Sequence, residues 1–327
     1  MRILILGGTS LTGPYAVRRL HAIGHEVTVF HRGEHQAELP PGVHHLLGDF
    51  EHLPLEASDP APDVVVHMWA MTEMDAESLV KKFRGVAGRA VVISSGDVYR
   101  AYGRLMRLES GPPDPIPLTE DAPLRESRYP YRRMAPSPDH WMTQYDKVLV
   151  EQVLVDQSDL PTTVLRFPAV SGPNEYGRFR RWLQPMLRGD TELRIHRGWA
   201  RWRWTHGLAE DVAQAIVLAV THPSSAGRIY NVGEFYTPAM RDRLAEFARV
   251  AGWRGRILEV PPSELGETDR MPHDFAHHIV YDTTRLRTEL GYKELVSPEV
   301  SIRRTLEYER ASDDTRDPPA SPGSAEQ

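Results

Sequence analysis

The sequence of 327 residues contains no cysteine. Disulfides, thiolate metal sites and a cysteine nucleophile are therefore excluded. It also lacks any apolar run approaching the roughly 18 residues that a membrane-spanning helix needs. No signal peptide precedes the first predicted strand, so we expect a protein of the cytoplasm. The formal net charge of -6 argues against a nucleic-acid or anionic-membrane partner.

The chain opens with an apolar segment and a glycine-rich turn. Residues Ile3 to Leu6 have the pattern of a buried strand that stops at Gly7-Gly8, and a helical pattern begins at Pro14. Such a turn presents backbone N–H groups and the positive end of the helix dipole to an anion. We therefore predict that the turn binds a pyrophosphate, the alternative being a tight turn without a ligand. The predicted binding residues are Gly7, Thr9, Ser10, Leu11 and Gly13.

A second predicted strand, 25–31, completes a parallel βαβ unit in about 30 residues, as a dinucleotide-binding fold requires. The residue that closes this strand meets the adenosine ribose, where a carboxylate would select NAD. His31 and Arg32 occupy that place here, and a guanidinium pairs well with a 2′-phosphate. We therefore expect NADP as the cofactor, with NAD as the alternative if Arg32 is only a solvated residue of a surface turn.

Further strands are predicted at 43–49, 63–70 and 89–95, alternating with helical segments. This alternation predicts an α/β fold with a doubly wound, Rossmann-type parallel sheet. Ligands of such sheets collect beyond the carboxyl ends of the strands. Residues that follow the strand ends are therefore predicted to face the cofactor, namely Asp49, Met68, Trp69, Ala70, Ser94 and Ser95.

The length of the chain suits two lobes. We expect an NAD(P)-binding Rossmann domain at residues 1–170 and a smaller mixed α/β substrate lobe at 171–310, part of which returns to the Rossmann core. The tail 311–327 has almost nothing apolar and is predicted to be disordered. Residues 100–138 are rich in proline, arginine and glycine and are expected to form a lid or substrate loop, the alternative being a mobile connection. A strong helix is predicted at 139–155.

Several motifs together resemble the extended short-chain dehydrogenase/reductase superfamily, in its NAD-dependent epimerase/dehydratase branch. The motifs are Gly7 to Gly13, Ser94-Ser95-Gly-Asp-Val98-Tyr99, Lys147-Val-Leu-Val-Glu151-Gln152, Arg166 to Pro173, His206 to Ala213 and Tyr230 to Gly233. The resemblance covers nearly the whole chain. It implies a bound nicotinamide cofactor and a C-terminal substrate lobe. The family often dimerises through helices of the Rossmann half, and we leave a homodimer open.

The resemblance also implies roles for single residues. Ser95 corresponds to the catalytic serine, and Lys147 to the catalytic lysine that also binds the cofactor ribose. Pro168 and Val170 lie in the strand that follows this helix in the family and are expected beside the cofactor. The alternative for Ser95 is an ordinary strand-end serine, and for Lys147 a solvated helix lysine.

The catalytic tyrosine of the family lies four residues before the lysine, and Thr143 occupies that position here. Helical residues four apart share a face, so Tyr145, about 200° around the helix from Lys147, is not expected to substitute. A threonine hydroxyl has no accessible pKa for general-base chemistry. The acid–base residue is therefore absent or supplied from elsewhere. The candidates are Tyr99, Asp97, Tyr102, Tyr129 and Tyr131.

Arginine and tryptophan are interleaved from Arg178 to Trp204. The resemblance implies that basic residues in this lobe hold substrate diphosphates, and arginine beside aromatic rings also suits stacked bases. The alternative is that the tryptophans pack inward and the arginines are solvated. His273, His277 and His278 lack a matching carboxylate motif, so we expect structural or surface histidines and no metal.

We expect an NAD(P)-dependent oxidoreductase, epimerase or reductase that acts on a hydroxyl or carbonyl of a sugar, nucleotide sugar or other polar small molecule. Hydride would pass at nicotinamide C4, with Ser95 polarising the substrate oxygen. Thr143 favours an alternative, an NADP(H)-binding sensor or scaffold without dehydrogenase activity. RNA binding is a third hypothesis, motivated by the arginines and tryptophans and opposed by the acidic net charge.

Overall fold

The computed structural model of the protein describes residues 1–35, 37–53, 59–173, 175 and 177–311. Residues 312–327 of the tail predicted to be disordered lie outside the described residues, and Ala311 ends the last helix. None of the helices within those ranges combines the length and the apolar character needed to span a bilayer.

The secondary structure is numbered in chain order. The strands are β1 (Arg2–Leu6), β2 (Glu26–His31), β3 (His44–Leu47), β4 (Val64–His67), β5 (Arg89–Ser95), β6 (Thr162–Phe167), β7 (Ala169–Ser171), β8 (Glu192–His196), β9 (His206–Leu208), β10 (Ile229–Asn231) and β11 (Arg256–Val260). The α-helices are α1 (Gly13–Ala22), α2 (Glu73–Phe83), α3 (Arg100–Leu105), α4 (Lys147–Val155), α5 (Arg180–Arg188), α6 (Arg197–Arg201), α7 (Ala209–Thr221), α8 (Met240–Ala251), α9 (Thr284–Leu290) and α10 (Pro298–Ala311).

Seven of these strands form one parallel sheet in the order β10-β6-β5-β4-β1-β2-β3. The winding direction reverses between β1 and β4, which is where such sheets open a crevice for ligands. Because the strands are parallel, the carboxyl ends of β1, β4 and β5 meet at this crevice. The predicted doubly wound parallel sheet is confirmed.

The central strands are apolar on both faces because helices cover both faces. Ile3 and Ile5 of β1 belong to the core shared with α1 and α7, whereas Leu4 and Leu6 belong to the core shared with α2 and α4. Successive strand residues therefore feed opposite layers, which accounts for the continuous apolar run at the start of the sequence.

The second half of the chain supplies elements to both parts of the molecule. The predicted lobe boundary at residue 170 falls within β7, which pairs with β9. β10 completes the edge of the large sheet beside β6, and α7 packs against that sheet. β8 and β11 form a separate parallel pair beside an aromatic cluster that contains Trp182, Trp199 and Trp202.

Two predicted elements are wrong. The helix predicted at 139–155 begins only at Lys147, because the Asp146 side chain accepts a hydrogen bond from the Val148 N–H at 3.0 Å and caps the helix there. Residues 141–143 form a separate 3-10 turn. The sequence pattern at 202–204 also predicts a short strand, but Arg203 and Trp204 instead form isolated bridges, to Ala239 and Ile279 respectively.

Candidate active site

The glycine turn at the end of β1 is tightly packed. Gly7 and Gly8 have φ values of +96° and +88°, which favour glycine. A Cβ on Gly13 would lie 2.4 Å from the Gly8 Cα, so the first turn of α1 approaches the strand end only because Gly13 has no side chain. The turn therefore brings backbone N–H groups and a helix N-terminus to the edge of the crevice.

A cavity of about 420 Å³ extends from this turn along the carboxyl ends of the strands. The predicted site residues that line it are Gly7, Thr9, Ser10, Leu11, His31, Arg32, Asp49, Met68, Trp69, Ser95, Pro168 and Val170. The predicted residues that do not belong to its described lining are Gly13, Ala70, Ser94, Tyr99, Thr143 and Lys147. The cavity thus joins most of the predicted cofactor residues to Ser95.

His31, the last residue of β2, and Arg32, which follows it, both line the cavity. The His31 Nε2 lies 3.0 Å from the His45 Nδ1. The Arg32 guanidinium forms an ion pair with Glu34 at 3.0 Å, and about half of each side chain is exposed. An exposed pair of this kind is weak, so it leaves Arg32 able to meet another anion. Glu34, which no sequence pattern marks as a site residue, also lines the cavity.

Lys147 and Ser94 lie behind the cavity wall. The Lys147 ammonium is fully buried and donates to the carbonyl oxygens of Ala70, at 2.7 Å, and Ile93, at 3.0 Å. Burial lowers the pKa of Lys147 to about 8. The Ser94 hydroxyl donates to Glu151 at 2.6 Å. Lys147 therefore ties α4 to the segment after β4 and to β5, and Ser94 ties β5 to the same helix.

Asp97 is the centre of a buried polar cluster on the cavity wall. Its Oδ2 accepts hydrogen bonds from the hydroxyls of Tyr145, at 2.7 Å, and Tyr131, at 2.9 Å. The Tyr102 hydroxyl lies 2.9 Å from that of Tyr131. Burial raises the pKa of Asp97, and burial together with the nearby Asp97 raises the pKa of Tyr131 and Tyr145 well above 10. Asp97, Tyr102 and Tyr131 all line the cavity, so three of the acid–base candidates lie together.

The other acid–base candidates point elsewhere. The Tyr99 hydroxyl donates to the Asn231 amide oxygen at 2.6 Å, and burial raises its pKa to about 12. The Tyr129 ring lies under the Arg132 guanidinium, 3.6 Å from its centre. The Thr143 hydroxyl donates to the Ser137 carbonyl at 3.2 Å. None of these three residues belongs to the described lining of the cavity.

Tyr145 does not share a helix with Lys147. The helix predicted at 139–155 contains both residues, but α4 begins at Lys147, so the 200° separation around a helix does not apply to Tyr145. Tyr145 lies in the extended segment before the helix and reaches Asp97 from there. The aspartate at position 146, a preferred N-cap residue, was the available signal that the helix starts after it.

Residues from distant parts of the sequence form the wall opposite the glycine turn. Arg178 places its guanidinium 5.0 Å from the centre of the Trp204 ring, and both residues line the cavity. Glu175 lies beside Arg178, at 3.7 Å, and burial raises its pKa to about 7. Tyr281 completes this wall, donating its hydroxyl to the Phe167 carbonyl at 3.2 Å. No local pattern in the sequence linked these residues to the glycine turn.

In most of the arginine–tryptophan stretch, the tryptophans pack inward and the arginines lie toward the surface, as the alternative to a binding role predicts. Trp182 and Trp199 are buried and stacked with ring centres 4.1 Å apart. Arg181 forms an ion pair with Asp269 at 3.0 Å, and Arg194 forms one with Glu264 at 2.6 Å. Among the described arginines from 178 to 203, Arg178 is the one that lines the cavity.

The three histidines near residue 275 serve local packing. The His278 ring accepts a hydrogen bond from the Arg203 backbone N–H at 3.1 Å. His277 is buried, with its Nε2 3.9 Å from Asp274, and its backbone carbonyl accepts from the Trp202 indole at 2.8 Å. The His273 ring packs against Phe275 with centres 5.8 Å apart.

The glycine turn lies at the switch point of a parallel sheet. One cavity joins it to Ser95 at the end of β5 and to Asp97 in the turn that follows. This arrangement defines a dinucleotide-binding enzyme fold. The family model described as the NAD dependent epimerase/dehydratase family matches residues 3–233, and the chain belongs to this family. The match confirms the resemblance predicted from the motifs and the predicted class, an NAD(P)-dependent enzyme.

Two proteins are similar to this chain in sequence, and one solved structure is similar in fold. The chain is 27% identical over 308 residues to the 3-diazoavenalumate denitrifying reductase of a Streptomyces species, covering 90% of this chain and 96% of the relative. It is 23% identical over 332 residues to the UDP-glucose 4-epimerase of Lactobacillus helveticus, covering 90% and 92%. A solved structure of UDP-glucuronic acid 4-epimerase from Bacillus cereus, in complex with UDP-glucuronic acid and NAD, superposes with a TM-score of 0.69 at 18% identity, covering 95% of this chain and 99% of that one.

Proposed function

We propose that the protein is an NADP-dependent oxidoreductase that interconverts a hydroxyl and a carbonyl group of a sugar, a nucleotide sugar or another polar small molecule. The observation that carries this proposal is the single cavity lined by the glycine turn, Arg32, Ser95 and Asp97. When bound, the nicotinamide donates or accepts a hydride at C4. Two similar proteins are UDP-sugar 4-epimerases and one is a reductase, and these descriptions support nicotinamide chemistry on a polar substrate.

The residues present fit a dinucleotide. A Cβ at position 7 would lie 3.3 Å from the Met68 Cβ, so glycine at position 7 lets the turn pack against Met68 while both residues line the cavity. The backbone of the turn would hold the pyrophosphate, and Arg32 would pair with a 2′-phosphate. Pro168 and Val170 line the cavity and would border the nicotinamide end.

Ser95 and Arg178 are the residues that would hold the substrate. The Ser95 hydroxyl oxygen accepts from the Asp97 backbone N–H at 3.3 Å, and the Ser95 side chain also hydrogen-bonds to Tyr145. These contacts would hold the hydroxyl in place for the reacting oxygen of the substrate. Arg178, on the opposite wall, supplies a positive charge for an anionic group of the substrate. Lys147 would position the cavity wall through its two carbonyl contacts rather than touch the cofactor.

The test is a titration with NADPH, followed by NADPH fluorescence, and a turnover screen at 340 nm over carbonyl compounds and nucleotide sugars. Ser95→Ala should bind NADPH like the wild type but lose at least about tenfold in kcat/KM, because one hydrogen bond to the reacting oxygen is removed. Ser158→Ala, at an exposed position, is the matched control. Failure of the wild type to turn over any compound would contradict the proposal.

A second candidate function rests on Thr143 and Lys147. Because the Thr143 hydroxyl is engaged with Ser137 and the Lys147 ammonium with two carbonyls, the usual pair of catalytic groups does not reach the cavity. The protein would then bind NADP(H) as a sensor or scaffold without transferring hydride. Tight NADPH binding with no hydride exchange would favour this function, and rapid exchange in the wild type would exclude it.

A further inference from the structure

Asp97 has a fixed position next to the proposed substrate oxygen site. It lies in the short turn that follows β5, two residues after Ser95, and its backbone N–H donates to the Ser95 hydroxyl oxygen at 3.3 Å. The side chain lines the cavity although the residue is only 4% exposed. Tyr145 hydrogen-bonds both to the Ser95 side chain and to the Asp97 Oδ2, so Ser95 and this carboxyl group belong to one hydrogen-bonded group.

The two carboxyl oxygens of Asp97 are not equivalent. Oδ2 accepts from the hydroxyls of both Tyr131 and Tyr145. Oδ1 is buried and has no hydrogen-bond partner within the described part of the chain. A buried oxygen without a partner is costly, and catalytic groups are a recognised reason for one. The tyrosines thus fix the carboxyl plane through Oδ2 and leave Oδ1 without a partner in the described part of the chain.

The charges around Asp97 do not neutralise this carboxyl group directly. Arg125 donates through Nε to the Asp97 backbone carbonyl at 2.8 Å, and its guanidinium pairs with Asp146 at 2.6 Å. Lys147 is held by the Ala70 and Ile93 carbonyls. Burial outweighs both cations and raises the pKa of Asp97, which lets this carboxyl exchange a proton closer to neutral pH than an ordinary aspartate.

We propose that Asp97 is the acid–base residue of the reaction and takes the place of the tyrosine that Thr143 replaces, with Tyr131 and Tyr145 as positioning residues. This inference rests on the proposed oxidoreductase function. In the reductive direction, a bound reduced nicotinamide would supply the hydride for the new C–H bond at the carbonyl carbon. The Asp97 Oδ1–H bond breaks, its proton goes to the carbonyl oxygen, and the carboxylate then takes a proton from solvent. The substrate is reduced to the alcohol and the nicotinamide is oxidised.

The tyrosines are less suited to the same step. The tyrosinate of Tyr131 or Tyr145 would form beside the Asp97 carboxyl, and both hydroxyls already donate to it. Burial keeps the pKa of both hydroxyls well above 10, so they stay protonated as donors. Tyr102 reaches Asp97 only through Tyr131.

The experiment compares wild type, Asp97→Asn, Tyr131→Phe and Tyr145→Phe on a substrate found in the turnover screen. Asp97→Asn should lower kcat at least about 100-fold, as expected for loss of a general acid–base group, with the NADPH Kd unchanged within about twofold. Tyr131→Phe and Tyr145→Phe should each move the pH profile of kcat to higher pH, because a carboxylate that loses a donor has a higher pKa. Asp121→Asn, an exposed surface change, is the control.

The outcomes distinguish failure of the Asp97 assignment from failure of the proposed oxidoreductase function. If the wild type turns over a substrate and Asp97→Asn keeps more than a third of kcat, the assignment is overturned and the oxidoreductase function stands. Unchanged pH profiles in both tyrosine variants would also overturn it, even if Asp97→Asn does not fold. If the wild type has no activity on any compound, the proposed function and this assignment are rejected together.

Discussion

Glu151 and Arg166 form a two-point ion pair in the interior of the protein. Arg166 Nη2 lies 2.6 Å from Glu151 Oε2, and Arg166 Nε lies 2.9 Å from Glu151 Oε1. Both side chains are almost completely buried, and Arg166 also donates to the Tyr99 hydroxyl at 3.1 Å. The pair joins α4 to β6 directly behind β5, and it supports the wall that carries Ser95 and Asp97.

Glu151→Gln should destabilise the protein strongly. Removing one member of a buried pair leaves an unbalanced charge, which costs about 3–5 kcal/mol in the free energy of unfolding. Urea denaturation followed by circular dichroism measures this cost. The control is Glu264→Gln, which breaks the exposed pair with Arg194 and should cost at most about 1 kcal/mol. Equal losses in the two variants would contradict the assignment of the interior pair as the stronger one.

Glu175 should make stability depend on pH. Its pKa is raised to about 7 in the folded protein, so the folded state holds the proton more tightly than the unfolded state does. The stabilisation from this proton is complete below about pH 4.5 and is lost as the pH rises through about 7. Glu175→Gln should therefore be more stable than wild type at pH 8 by up to about 3 kcal/mol and should converge with it toward pH 4.

Denaturation of wild type and Glu175→Gln at several pH values tests this expectation. Glu77→Gln, at an exposed position on α2, serves as the matched control and should show no pH-dependent difference from wild type. A constant difference between Glu175→Gln and wild type across the range from pH 4 to 8 would mean that Glu175 does not titrate differently in the folded and unfolded states.

Changes at Thr143 should leave catalysis unaffected. Because the Thr143 hydroxyl faces the Ser137 carbonyl outside the described cavity lining, Thr143→Val should keep kcat within about twofold. Thr143→Tyr restores the family spacing but precedes α4 in the chain, so it should not raise kcat. Steady-state kinetics on one substrate decides this. A large gain in Thr143→Tyr would show that the family arrangement of tyrosine and lysine is still available in this fold.

Arg32 should decide between the two nicotinamide cofactors. Arg32→Ala removes the proposed partner of the 2′-phosphate and should weaken NADPH binding about 10- to 100-fold while leaving NADH binding unchanged. Glu34→Gln frees Arg32 from its ion pair and should tighten NADPH binding. Fluorescence titration with both nucleotides measures these constants. Equal weakening of both cofactors would indicate that Arg32 does not contact a 2′-phosphate.

Gly13→Ala should disrupt the glycine turn. The new Cβ would lie 2.4 Å from the Gly8 Cα, and backbone atoms cannot move aside as a flexible side chain can. We expect a loss of about 1–3 kcal/mol in the free energy of unfolding and loss of NADPH binding. Gly266→Ala is the control, because nothing lies within 4 Å of a Cβ there. Normal NADPH binding by Gly13→Ala would contradict the assignment of the turn.

The features predicted correctly from the sequence are those that depend on local pattern. β1 and the glycine turn are signalled within a few residues, since apolar runs, glycines and a helix start follow one another. Strand ends such as Met68 and Ser95 were placed by the rule that ligands collect at the carboxyl edge of a parallel sheet. These predictions needed no knowledge of how distant segments pack.

The features that escaped prediction depend on tertiary contacts. Ile279 and Tyr281 line the cavity through an isolated bridge to Trp204 and a hydroxyl contact to Phe167, and neither contact has a signature in sequence. The hydrogen-bond partners of Asp97 are also set by tertiary contacts. Tyr131 and Tyr145 reach it from a long connection without periodicity, so only the folded chain reveals which tyrosines meet the carboxyl group.

The outer neighbour of β6 comes late in the chain. β6 ends at Phe167, and its partner β10 does not begin until Ile229. During synthesis the ribosome must add the intervening segment, which takes on the order of several seconds at typical elongation rates. Throughout that interval the nascent chain carries an unpaired strand edge, to which other strands can add. The growing polypeptide therefore passes through a stage that favours protection by a chaperone, and release of the segment through Asn231 ends that stage.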